Sequence, residues 1–283
     1  MDSKANGNGT ANGVTRVTTG IAGLDNLLQG GFLPGRTYLF TGDAGTGKTT
    51  ACMQFLMAGL QQGEKAVYVT VDERPTEILQ SATSLEWDLQ KHVQEKTLVI
   101  LDASPYFSGR GVTDKGIDVS KFVTDLAGYT NKLEAVRLVI DPVTPLIVSA
   151  DSPWRVHENA RMLIHLLQTN LTTTNLLTSH LPATGDHGAP TQGIEEFLAA
   201  GVMILSVGQS NERLARTLGV KKMRGTAVDP CEYPFAIVKN KGIVLLPAPV
   251  PVAPSPSAEP SKKAIIVEDV TFQGLEFFEL PKS

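Results

Sequence analysis

Short apolar runs recur along the chain at long intervals: 37–41 (TYLFT), 66–71 (AVYVTV), 98–101 (LVIL), 136–140 (VRLVI), 175–178 (NLLT) and 202–205 (VMIL). β-Branched residues are frequent in them and in–out alternation is weak, the pattern of strands covered on both faces. Between many of them lie segments with helical spacing of apolar residues, at 49–62, 76–84, 119–132 and 153–169. A helix between successive strands carries the chain back across a sheet. The pattern therefore predicts an α/β fold, a mainly parallel twisted sheet flanked by helices. The stretch 213–246 breaks this rhythm. It reads as consecutive strands joined by turns, one of them at Lys239-Asn240-Lys241-Gly242, and predicts antiparallel strands at the C-terminal edge of the sheet.

The flanks differ in composition. Residues 1–13 are rich in Asn and Gly and are expected to form a disordered tail. Residues 247–262 carry proline at nearly every second or third position, which suits a stiff extended linker rather than helix or ladder. The final segment, 263–283, has strand-like pieces but is too short to fold alone. It is expected to dock on the domain or on a partner. One continuous domain over 14–246 is left between the tails.

Composition changes this picture little. Apolar residues make up 42% of the 283 and charged residues 19%, as in ordinary globular chains. The formal net charge of -4 argues against a strongly basic nucleic-acid-binding surface. The two cysteines, Cys52 and Cys231, lie far apart and in no metal-like spacing, and read as inert thiols in a reducing compartment. No run of about 18 apolar residues exists, and the first residues lack the apolar core of a secretion signal, so a cytoplasmic protein is expected.

The chemistry concentrates in one motif. Gly42-Asp43-Ala44-Gly45-Thr46-Gly47-Lys48-Thr49 fits G-x-x-x-x-G-K-[ST], with a predicted strand before it and a helix after it. Glycines let backbone N–H groups curl around phosphate without Cβ clashes. The helix N-terminus points its positive end at the same anion. Lys48 is the candidate cation for the β- and γ-phosphates, and the Thr49 hydroxyl a candidate Mg²⁺ ligand. Thr50 completes the set expected around bound ATP. A second acid on the Mg²⁺ side is expected at the end of another strand, and the run 136–140 ends in Asp141, followed by Pro142. Asp72-Glu73 end the run 66–71 directly after the P-loop helix. Open α/β sheets place ligands at the carboxyl ends of their strands, so these acids are candidates for activating water. A pair of solvated acids entering the next helix remains the alternative.

Taken in order, these segments resemble the KaiC family of RecA-like ATPases, the cyanobacterial clock proteins and their relatives. The resemblance covers about residues 16–246. It opens on Val17-Thr18-Thr19-Gly20-Ile21-Ala22-Gly23-Leu24-Asp25 and continues through Gly30-Gly31-Phe32-Leu33-Pro34-Gly35-Arg36 and the P-loop. Trp87-Asp88-Leu89, Ile100-Leu101-Asp102-Ala103-Ser104-Pro105 and Ile140-Asp141-Pro142-Val143-Thr144 follow. It ends on Glu195-Glu196-Phe197, Lys221-Lys222-Met223-Arg224-Gly225-Thr226 and Tyr233-Pro234-Phe235. The resemblance implies a RecA-like ATPase that hydrolyses ATP with Mg²⁺ in a hexameric ring, with the nucleotide between subunits. It implies that Lys222, Met223 and Arg224 reach a neighbour's nucleotide, Lys222 and Arg224 as trans cations on the γ-phosphate. It also implies a catalytic pair at Asp72 and Glu73.

The departures carry information. The family's first catalytic acid is usually Glu and here is the shorter Asp72, so either Glu73 carries more of the work or turnover is slow. A histidine often stands where this chain has Val228. Glu195-Glu196 occupy the place of the Ser/Thr phosphoacceptors of the clock kinase half, so the pattern is that of the hydrolysing half. The expected role is a regulatory or signalling switch, self-associating and with a clock-type protein partner in view. A serine/threonine autokinase, a nucleotide-binding scaffold with vestigial hydrolysis and a recombinase-type DNA-repair accessory stay as alternatives. The last is disfavoured because the loop 183–192 holds Asp186 and His187 but no Lys or Arg, and aromatics are only 6% of the chain. His180 is a candidate γ-phosphate sensor or, equally, a structural histidine.

Overall fold

The computed structural model describes residues 15–107, 112–113, 116–147, 153–180, 199–210, 213–229 and 231–247. The N-terminal tail, the loop holding His187 and Glu195-Glu196, and the chain from 248 onward lie outside the described residues.

Eleven strands and seven α-helices are described. In chain order they are α1 (Leu24–Leu27), β1 (Thr37–Gly42), α2 (Lys48–Leu60), β2 (Ala66–Thr70), α3 (Pro75–Ser84), α4 (Leu89–Gln94), β3 (Leu98–Asp102), β4 (Val112–Thr113), β5 (Gly116–Ile117), α5 (Val119–Leu133), β6 (Arg137–Asp141), α6 (Thr144–Ile147), α7 (Pro153–Asn170), β7 (Thr174–His180), β8 (Gly201–Ser210), β9 (Arg213–Met223), β10 (Glu232–Val238) and β11 (Gly242–Leu245). Nine strands form one sheet in the order β11-β10-β9-β8-β1-β7-β6-β2-β3. From β8 to β3 every pairing is parallel, and β8 to β11 pair antiparallel. This is the mixed α/β architecture that the patterning predicts, with the antiparallel strands at the C-terminal edge. Strands β7 and β8 run longer than their apolar cores, because ladder pairing continues through polar residues. Helix α4 is capped by the Asp88 carboxylate, which accepts from Lys91 N at 2.9 Å; its six residues are too few to show a helical period.

Two cores lie on the two faces of the sheet, sorted by strand alternation. Tyr38, Phe40, Tyr68 and Leu205 turn toward one, which α2 fills with Cys52, Phe55 and Leu56. Leu39, Val69, Ile140 and Leu177 turn toward the other, which Phe122 of α5 and Leu163 and Leu167 of α7 fill. No helix among the described residues is long and apolar enough to cross a membrane. Cys52 is buried and Cys231 exposed.

Arg137, the first residue of β6, is fully buried. Its Nε donates to Glu64 Oε2 at 2.5 Å, and its Nη1 donates to the carbonyls of Thr18 at 2.6 Å and Phe55 at 2.8 Å. The guanidinium stacks on the Phe55 ring, 4.7 Å from its centroid. A buried cation is tolerable only when paired and hydrogen-bonded, and here three chain segments supply the partners. Room for it comes from Gly59 of α2: a Cβ there would lie 2.2 Å from Arg137 Nε and 2.5 Å from Glu64 Oε2. In a helix interior Gly→Ala ordinarily stabilises by about 1 kcal/mol. Gly59→Ala is expected instead to destabilise by about 1–3 kcal/mol, the cost of overpacking, read as a lowered urea midpoint.

Candidate active site

The sheet order sets the carboxyl ends of β1, β7, β6 and β2 side by side. Gly42 pairs with His180 of β7 and with Leu205 of β8, and Asp141 pairs with Thr70 of β2. The P-loop leaves this edge from β1 and enters α2. Gly42 lies so close to β8 that a Cβ would stand 2.1 Å from the Leu205 carbonyl, so only glycine fits. Gly47, with φ 111°, is the N-cap residue of α2. Thr46 Oγ1 donates to Asp43 O at 2.9 Å and tightens the loop. Lys48 Nζ donates to the carbonyls of Gly42 at 2.8 Å and Asp43 at 2.9 Å. Burial lowers the pKa of this lysine, while the charges of Asp141 and Asp43 oppose the shift.

Asp141 is buried at the end of β6. Its Oδ2 accepts from Tyr68 OH at 2.7 Å, and its Oδ1 accepts a short bond from Thr178 Oγ1. Burial raises the Tyr68 pKa far above the usual phenol value, with the Asp141 charge adding to it, so the phenol remains a donor. Asp72 and Glu73 follow β2, and Thr70 Oγ1 donates to the Glu73 carbonyl at 2.6 Å. Although Glu73 is exposed, its pKa is raised, first by desolvation and then by the charges of Asp141, Glu77 and Asp72. Carboxylates displaced in this way cluster at functional sites.

One cavity of about 400 Å³ gathers these groups. Lys48, Thr49, Thr50, Asp72, Glu73, Asp141 and His180 line it, together with Ala44, Gly45 and Gly47 of the P-loop. Asp43 and Thr46 act behind this wall through the bonds described above. Sequence reasoning did not assign four residues of the lining to the site: Thr70, Ile78 of α3, Pro142 and Ile237 of β10. Ile237 arrives from the C-terminal hairpin, its Cδ1 standing 3.1 Å from where a Gly47 Cβ would be. Buried Gln54 of α2 fixes that hairpin, donating to Lys241 O at 2.8 Å and Ile243 O at 3.0 Å and accepting from Ile243 N at 2.7 Å. A single glutamine inside an apolar helix was the available signal, since a polar group there needs partners.

Lys222, Met223 and Arg224 stand elsewhere. The sulfur of Met223 reaches within 2.7 Å of where a Gly201 Cβ would be, and Gly201 pairs with Tyr38 at the start of β1. The P-loop leaves the other end of β1 after Gly42, four residues and roughly 13 Å away at ~3.3 Å per residue. The chain therefore does not bring Lys222 and Arg224 to its own P-loop.

Comparison with known proteins gives this edge its family. The KaiC ATPase family model matches residues 17–250. The chain belongs to the KaiC family of ATPases. Among curated KaiC relatives, the circadian clock oscillator protein KaiC of Picosynechococcus sp. is 37% identical over 245 residues, 85% of this chain and 46% of that protein. KaiC of Synechococcus elongatus is 36% identical over 243 residues, 86% of this chain and 46% of that protein. The chain spans about half the length of the curated KaiC proteins it matches. A solved KaiC-like protein of the hyperthermophilic archaeon Pyrococcus horikoshii is 33% identical, with a TM-score of 0.70, over 83% of this chain and 100% of that one. The fold is thus the RecA-like fold of KaiC proteins.

The hydroxyls flanking Asp141 are a stability element of this KaiC domain. Tyr68→Phe leaves a buried carboxylate oxygen short of a donor and is expected to cost about 1–3 kcal/mol, measured by urea denaturation.

Proposed function

We propose that this chain binds Mg-ATP in the cavity headed by the P-loop and hydrolyses it. The site would be completed by Lys222 and Arg224 of a neighbouring copy in a ring, a hexamer, whose nucleotide state serves a regulatory or signalling partner. The observation that carries the reading is the convergence of Lys48, Thr49, Asp141 and Glu73 on one cavity at the carboxyl edge of the sheet.

The donors suit Mg²⁺. The Thr49 hydroxyl and the Asp141 carboxylate are hard oxygen donors that line the same cavity. Both Asp141 oxygens already accept hydroxyl bonds, which suits contact with the ion through water. Thr49 and Asp141 would hold Mg²⁺, which would supply positive charge against the charge that develops in phosphoryl transfer. The glycine loop presents backbone N–H groups to the phosphates. Lys48, whose charged form Asp141 and Asp43 favour against the effect of burial, exchanges its carbonyl acceptors for phosphate oxygens. Glu73, with its raised pKa, is the general base that takes a proton from the attacking water; Asp72 stands beside it. His180, at the end of β7, faces the same space and senses the γ-phosphate. The cations from the neighbour stabilise the transition state.

Phosphate release by wild type and Lys48→Ala tests the core of this reading. Wild-type release above background and loss in the variant is expected, and equal background in both sinks it. Particle mass with and without Mg-ATP tests the ring: nucleotide-dependent growth is expected, an unchanged monomer excludes it.

The Glu73 assignment predicts a pH profile. A general base works deprotonated, so activity falls as pH drops through its raised pKa. The acidic limb should therefore lie above the ordinary glutamate value of 4.5. Glu77→Gln removes one of the charges that raise it while its oxygen keeps the bond from Arg74 N. The limb should move to lower pH, and an unmoved limb would assign the base elsewhere.

A further inference from the structure

The segment from Lys222 to Thr226 is anchored at several points. The ladder between β8 and β9 is offset by one residue, Val202 pairing with Lys222 and Met203 with Val220. Lys221 is thus the extra residue of a bulge, a device that re-aims the side chains after it. The Arg224 amide is fixed at 2.8 Å to the Ala200 carbonyl. Gly225 turns with φ +74° against Leu33, where a Cβ would lie 2.9 Å from Leu33 Cδ1.

The remaining anchor is Arg16. Its side chain is buried, and its fork spans two segments. Nη1 donates to Gly31 O at 3.0 Å and to Thr226 Oγ1 at 2.8 Å, and Nη2 donates to Gly225 O at 3.4 Å. Nε is buried with no hydrogen-bond partner among the described residues. The neighbouring Val17 is pinned by paired backbone bonds to Phe32, both at 2.8 Å. Gln29 adds a second reach from the same region, donating to Ala227 O at 3.3 Å.

A planar, rigid fork with donors at two nitrogens fixes orientation as well as distance, which an ammonium cannot do. We infer that Arg16 is a positioning residue for the inter-subunit half of the site: it sets the turn that follows Lys222 and Arg224, so that their cations are aimed at the nucleotide of the adjacent copy. The inference rests on the shared-site reading above. Arg16 touches no residue of its own chain's cavity in these bonds, so its effect is exerted on the neighbour.

The test uses the full chain with Arg16→Met and Arg16→Lys, each assayed for ATP turnover, ATP KM and melting temperature. Displacing a transition-state group by about 1 Å can cost on the order of 100-fold, so kcat is expected to fall between about 10- and 100-fold while KM moves little. The decisive arm mixes each variant with Lys48→Ala. The Arg16 variant supplies an intact P-loop, Lys48→Ala supplies an intact cation segment, and the mixture should turn over faster than the two proteins assayed apart. A parallel mixture of Arg224→Ala with Lys48→Ala reports on the shared site alone. Failure of that control rejects the shared site itself. Rescue in the control together with wild-type turnover by both Arg16 variants, no rescue of either, or failure of both to fold, overturns the role of Arg16.

Discussion

The position of the P-loop helix against the strand that carries the buried acid depends on one cation. Arg137 opens β6 and Asp141 ends it. Between them the guanidinium is bonded to the carbonyl of Phe55 in α2, to Thr18 before β1 and to Glu64 after α2. Lys48 and Thr49 ride on α2, and Asp141 rides on β6. The ion pair therefore sits behind the site and ties together the two elements that face each other across it. Its geometry needs the absent side chain of Gly59, which makes that glycine a packing requirement and not a break in the helix.

Much of this was readable from the residues. The parallel strands, the antiparallel edge, the P-loop and the acid at the end of the 136–140 run follow from local pattern. The same run also shows where pattern stops. By hydropathy Val136 belongs inside and Arg137 outside, and the structure reverses them: Val136 is 40% exposed and Arg137 is fully buried. Residue type sets the cost of burial, and distant partners decide whether that cost is met. Thr18, Phe55 and Glu64 are invisible as partners until the fold assembles.

The C-terminal hairpin makes the same point about the site. Ile237 lines the cavity because β10 and β11 pair in one register and Gln54 holds their turn. No local signal connects position 237 with position 47. By contrast Asp72, Glu73 and His180 were accessible to reasoning, since the two acids follow β2, His180 ends β7, and the carboxyl ends of a parallel sheet lie along one edge. The segment from Lys222 to Arg224 could be placed only by resemblance, and the sheet puts it at the far end of β1.

The Tyr68 and Thr178 hydroxyls meet at one carboxylate from the strands on either side of it. Tyrosine, aspartate and threonine thereby form a polar rung across β2, β6 and β7, stitched through an otherwise apolar layer. Such a rung makes Asp141 a fixed electrode. Its oxygens are oriented during folding by two hydroxyls, with no side-chain search left to perform. Glutamate at this position would carry the same charge one methylene further and lose both hydroxyls, so here the length of the side chain matters as much as its sign.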